Sequence, residues 1–236
     1  MLFAGFFEFF FEFFMRTISR ILSLISFFCC STALAENLDG LFPTKTVYFG
    51  VNMGGGYTTW KYLVDTADPP DTAVKETTPS GVREGGPSWG VVFGYDLARN
   101  FAVELQYMRF ADSHITFDPD AALAYNLSDG TAPATILSKT EAYSLSGKFF
   151  VPVGVNTHMR AFAAVGAGQV NRRDVIAKRS CITPYLSAGV DYHFTRHWIL
   201  ESGFQYYTGF GVSELQPVSD FVPFAWDGYA RLAYQL

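Results

Sequence analysis

Eight charged residues, Asp96, Glu104, Lys148, Arg160, Asp191, Glu201, Asp227 and Arg231, fall in segments that alternate between bulky apolar positions and small or polar ones. In each segment they share the small or polar face. Side chains in a strand alternate with period two, so such residues collect on one side of a sheet. Acids and bases enclosed together are expected to neutralise one another, because unpaired buried charge is expensive. The chemistry predicted for them is an interior ion-pair network, and the alternative is a gate that opens a small pore.

Four further cations, Arg172, Arg173, Lys178 and Arg179, crowd a stretch whose only carboxylate is Asp174. The other polar stretches 61–87, 118–140 and 212–223 are acidic on balance. A basic stretch among acidic ones predicts contact with phosphates of lipopolysaccharide, or with the neighbouring loops, beyond ordinary surface solvation. Hydrolytic chemistry finds less support. A lipid-facing hydrolase needs Ser and His on one face within hydrogen-bond reach. Ser113 and His114 are adjacent, and alternation sends them to opposite faces. His158, His193 and His197 fall near turns without a nucleophile, and no Cys/His spacing suits a metal. No catalytic residue, metal ligand or cofactor is predicted.

The elements that position these residues begin with 89–110, WGVVFGYDLARNFAVELQYMRF, which reads as two strands joined at Ala98-Arg99-Asn100. Trp89, Val91, Phe93, Tyr95 and Leu97 form one face; Gly90, Val92, Gly94 and Asp96 form the other. The same plan recurs at 46–60, 141–153, 159–170, 183–194, 198–206 and 224–236. A soluble barrel packs its large apolar groups inward, whereas a membrane barrel turns them towards lipid. Aromatic residues on the bulky face and charges on the small face favour the second arrangement. The connections are predicted to alternate long and short, with long ones at 61–87, 118–140, 171–182 and after Tyr207. The fold class expected is all-β, an eight-stranded antiparallel up-and-down transmembrane β-barrel. Both termini are expected on the periplasmic side and the long loops outside.

Composition agrees. The 236-residue chain is 17% aromatic and 17% charged, and its net charge of −5 argues against a nucleic-acid partner, which normally meets a basic footprint. Residues 1–35 read as a leader and signal peptide, with Arg16 and Arg20 before an apolar core and Ala33-Leu34-Ala35 as the cleavage site. The phenylalanine-rich first fourteen residues suggest that translation starts at Met15. Residues 36–45 are then a periplasmic lead and 46–236 the barrel. Cleavage would remove Cys29 and Cys30 and leave Cys181 alone, so no internal disulfide is expected.

YFGVNMGGGY from Tyr48, GYDLARNFAVELQY from Gly94, TPYLSAGVDY from Thr183, WILESGFQY from Trp198 and the terminal Tyr234-Gln235-Leu236 together resemble the eight-stranded outer-membrane barrels typified by the transmembrane domain of outer membrane protein A. The resemblance implies a bacterial outer-membrane location, a lipid and lipopolysaccharide environment, and insertion by the barrel assembly machinery. It also implies a structural and surface-interacting role, membrane integrity with adhesion or contact to host or extracellular ligands through the loops. A narrow pore is the alternative, and a lipid-modifying enzyme the third. That family usually ends in Phe. With Leu236 last here, the assembly signal is expected to rest on Trp226, Leu232, Tyr234 and Leu236.

Overall fold

Alternation is realised as ten strands: β1 (Thr46–Thr59), β2 (Pro79–Arg83), β3 (Gly86–Ala98), β4 (Phe101–Arg109), β5 (Ser113–Phe117), β6 (Thr135–Pro152), β7 (Met159–Arg173), β8 (Lys178–His193), β9 (Trp198–Tyr207) and β10 (Phe224–Gln235). The computed structural model describes residues 42–59, 79–117, 135–154, 158–175, 178–209 and 222–236. The expected leader and signal peptide at 1–35, the proposed start at Met15 and most of the lead 36–45 lie outside the described residues.

Eight strands close into a ring in the order β6-β4-β3-β1-β10-β9-β8-β7, with β7 pairing back to β6. Every neighbouring pair is antiparallel. Closure satisfies the backbone groups of all eight strands within the wall, the condition for crossing hydrocarbon, where each orphaned group costs several kcal/mol. The other two strands, β2 and β5, pair with each other and extend the ladder onto the first residues of β6. Sequence reasoning assigns both segments to connections or their margins, because each is five residues long and too short to show a period.

The hairpin β7–β8 also departs from expectation. Residues 171–182 are predicted as a long loop, yet the ladder continues through Asn171↔Ser180, Arg172↔Arg179 and Arg173↔Lys178. The connection shrinks to 174–177. Hydropathy marks where lipid contact ends, and a strand can carry on past that level into a polar layer with no change in its hydrogen bonding.

The polarity of the wall is inverted relative to a soluble protein. Outward Met53 is 69% exposed and Leu145 58%, whereas inward Arg231 is 1% exposed and Asp227 fully buried. Two belts of aromatic contacts flank the outer surface. Towards the termini lie Phe49–Tyr234, Trp198–Tyr234 and Phe101–Phe149; towards the connections β1–β2 and β9–β10 lie Tyr57–Trp226, Tyr107–Tyr143 and Tyr206–Phe224. Val51, Leu105, Leu186 and Leu232 occupy the band between them. Such girdles mark the two interfaces of a bilayer, where a ring can sit in the apolar layer while its polar atom reaches water.

Candidate functional site

Inward alternation brings one side chain from each strand to each level of the interior, and eight strands leave room only for side chains. The structure places Asp96, Glu104, Lys148, Arg160, Asp191, Glu201, Asp227 and Arg231 in that interior, none more than 4% exposed. Six of the eight meet in ion pairs and two do not.

Glu104 on β4, Lys148 on β6, Glu201 on β9 and Arg231 on β10 form a quartet at mid-height. Lys148 Nζ lies 2.9 Å from Glu104 Oε1 and also pairs with Glu201. Arg231 Nη1 lies 2.8 Å from Glu104 Oε1 and 3.1 Å from Glu201 Oε1. Each acid thus touches both bases, and the four charges sum to zero. Neutral groups complete the shell. Tyr48 donates its hydroxyl to Glu104 at 2.6 Å and Tyr229 to Glu201 at 2.7 Å. Arg231 donates to Asn52 at 2.6 Å and to Gln106 at 2.9 Å, and Gln106 in turn donates to Gln205 at 2.6 Å. Lys148 Nζ also sits 4.0 Å from the ring centre of Phe162, a cation–π contact that offsets part of its lost hydration.

Tyr48 reaches Glu104 because β3 carries glycine opposite it. A Cβ on Gly94 would stand 2.1 Å from Tyr48 Cζ, so the ring occupies the space a side chain would take. Gly94 is therefore part of the quartet's construction, one strand removed.

Nearer the termini, Arg160 grips Asp191 through Nε at 3.1 and 3.2 Å and Nη2 at 2.7 Å. Arg160 Nη2 also lies 2.9 Å from His193 Nε2, and its guanidinium packs over Phe150 at 3.8 Å and Phe42 at 4.6 Å. Phe42 meets the His193 ring edge-on at 4.7 Å. This residue precedes the first strand, and no period in the sequence singles it out as an interior group. Asn52, Gln106 and Gln205, by contrast, sit at inward positions of their strands, so the alternation that finds the charges could have found them too.

Asp96 and Asp227 correct the expectation that all interior charges pair with one another. Asp96 accepts from Gln235 Nε2 at 2.5 Å and Asp227 from the Ser88 hydroxyl at 2.9 Å, and the second oxygen of each has no hydrogen-bond partner. Among the described residues neither makes an ion pair. Above the quartet, towards the long connections, an apolar cluster of Met108, Phe110, Val170, Tyr185, Tyr207 and Val222 packs among buried polar side chains such as Ser88, Thr140 and Ser144.

The four cations of 171–182 separate. Arg172 is fully buried and pairs with Asp174 at 2.5 Å, so it is an interior residue rather than a surface contact. Arg173, Lys178 and Arg179 are exposed. Arg179 lies opposite Arg172, on the inward side of the ladder, while Arg173 and Lys178 pair on the outward side. Trp226, Leu232, Tyr234 and Leu236 all lie on the outer wall, Leu236 at 67% exposure. Ser113 is buried and hydrogen-bonds Thr58, whereas His114 is exposed, so the two form no dyad. Among the described residues no three His, Cys, Asp or Glu side chains converge as a metal site.

A closed eight-stranded antiparallel ring with an apolar outer wall and a packed, charged interior defines a transmembrane β-barrel. No protein-family model matches the sequence, and no curated protein matches it. Solved structures with a similar strand arrangement include the N-terminal β-barrel domain of Pseudomonas aeruginosa OprF, at 12% identity and TM-score 0.45 over 82% of this chain and 98% of that one. Neisserial surface protein A aligns at 12% identity and TM-score 0.47 over 80% and 97%. Outer membrane protein OprG from Pseudomonas aeruginosa aligns at 14% and 0.47 over 83% and 99%. Identities this low transfer no function.

Proposed function

We propose that the chain is an integral outer-membrane barrel of structural and surface-contact type, which supports membrane integrity and adhesion or host contact through its outward connections, without catalysis. The observation that carries the reading is the interior itself. The quartet and the Arg160–Asp191 pair place mutually satisfied charges across the interior, which supports a role for the interior in holding the barrel rather than in chemistry. Both termini belong on the periplasmic side in this arrangement, with insertion by the barrel assembly machinery. Surface labelling of intact cells at a cysteine placed in 118–134 tests the orientation, and planar-bilayer recording tests the closed interior. Silent or rarely conducting membranes are expected; a steady ohmic conductance overturns the structural reading.

A narrow pore is the second reading, favoured by one feature of the quartet. Both acids contact both bases, so Lys148 and Arg231 can exchange partners without stranding a charge. Voltage-dependent openings whose frequency changes in Glu104→Gln would support it.

A further inference from the structure

We propose that the outward face of the β6–β7–β8 rim binds the phosphate groups of an outer-leaflet phosphoglycolipid, lipopolysaccharide, through Lys139, Arg173 and Lys178. The proposal rests on the outer-membrane reading above and assigns that surface a partner and its residues. Lys139 is the Cα partner of Arg173, and Arg173 of Lys178, so three cations stand side by side on three adjacent strands. All three are exposed. Strands lie about 4.8 Å apart, which makes the row about 10 Å wide.

The rows beneath it are graded. Tyr143, Gln169 and Ile182 form the outward row at the aromatic belt, and Glu141, Asn171 and Ser180 form the next. Lys139 stands four residues beyond Tyr143, about 13 Å along the strand, or about 10 Å along the membrane normal for a strand tilted near 40°. A row at the aromatic belt, a polar row whose single acid is held by Arg109, and a cationic row thus follow one another, as acyl chain, sugar and phosphate do in a phosphoglycolipid.

The nearby acids are already engaged. Glu141 accepts from Arg109 at 2.9 Å, and Arg109 also holds Asp112 at 2.5 Å. Asp174 pairs inward with Arg172. Among the described residues no carboxylate pairs with Lys139, Arg173 or Lys178, so the row keeps its full charge for an anion. Sequence reasoning names Arg172 and Arg179 for this role, but the ladder turns both to the inward side, and it brings in Lys139 from another strand.

The test uses the full chain folded in nonionic detergent and fluorescently labelled lipopolysaccharide, read by anisotropy. Replacing Lys139, Arg173 and Lys178 together with Ser is expected to weaken binding on the order of 100-fold. Lys45→Ser with Arg196→Ser, exposed cations at the opposite rim, should leave binding unchanged, and dephosphorylated lipopolysaccharide should bind the native chain as weakly as intact lipid binds the triple variant. Unchanged affinity in the triple variant, or indifference to dephosphorylation, overturns the proposal. So does full displacement by inorganic phosphate or by heparin, which would make the row a site for small anions or sulfated polysaccharide. Heat-modifiable gel mobility of each sample separates the two levels: a native chain without a heat shift fails the barrel reading itself, whereas heat-shifting barrels with equal affinity fail only this site.

Discussion

Two acids at similar burial meet opposite environments inside this barrel. Glu104 touches two bases and a tyrosine hydroxyl, while Asp227 has a serine hydroxyl on one oxygen and nothing on the other. The difference teaches that burial alone does not make an interior charge structural; its partners do. Removing one member of a satisfied buried set strands the remaining charges, whereas neutralising a poorly satisfied acid removes a liability.

The sharpest way to break this comparison is Arg231→Met, which leaves Glu104 and Glu201 sharing one cation. Urea unfolding in micelles should show a loss of about 3–5 kcal/mol. Tyr48→Phe, which deletes only a donor to Glu104, is expected to cost about 1.5–3 kcal/mol by the same assay. Gly94→Ala should fall close behind at about 1–3 kcal/mol, because the new methyl displaces the Tyr48 ring, and its loss should not add to that of Tyr48→Phe in a double-mutant cycle. At the small end, Asp227→Asn is expected to lie within about 1 kcal/mol of the native chain, on either side. If it instead costs as much as Arg231→Met, the distinction between the two acids collapses.

Much of this interior is legible from the sequence because period two is a local property: once Phe93 faces lipid, Asp96 and Gly94 must face inward. Height and partner are not local. Whether Glu104 meets Arg231 depends on the stagger of β4 against β10, which are separated by two other strands in the ring, and no short window encodes that. The pairing of Arg172 with Asp174 spans only two residues and is hidden for another reason, that polar residues 171–182 read as a loop although the ladder continues through them. The non-local limit does explain why Asp96 and Asp227 read as network members although the ladder leaves them apart from a base. Phe42 lies outside any periodic segment, so its place against Arg160 could be found only in three dimensions.

The pairing of β1 with β10 carries a kinetic consequence. Gln235 hydrogen-bonds Thr46 across 189 residues of chain, and twelve register pairs join these two strands. Until they meet, the sheet has two long open edges, each a template for pairing with another chain. Loop closure over such separations makes folding slow. β10 is therefore the strand that ends the exposure of β1, and a chain lacking β10 is expected to aggregate rather than insert.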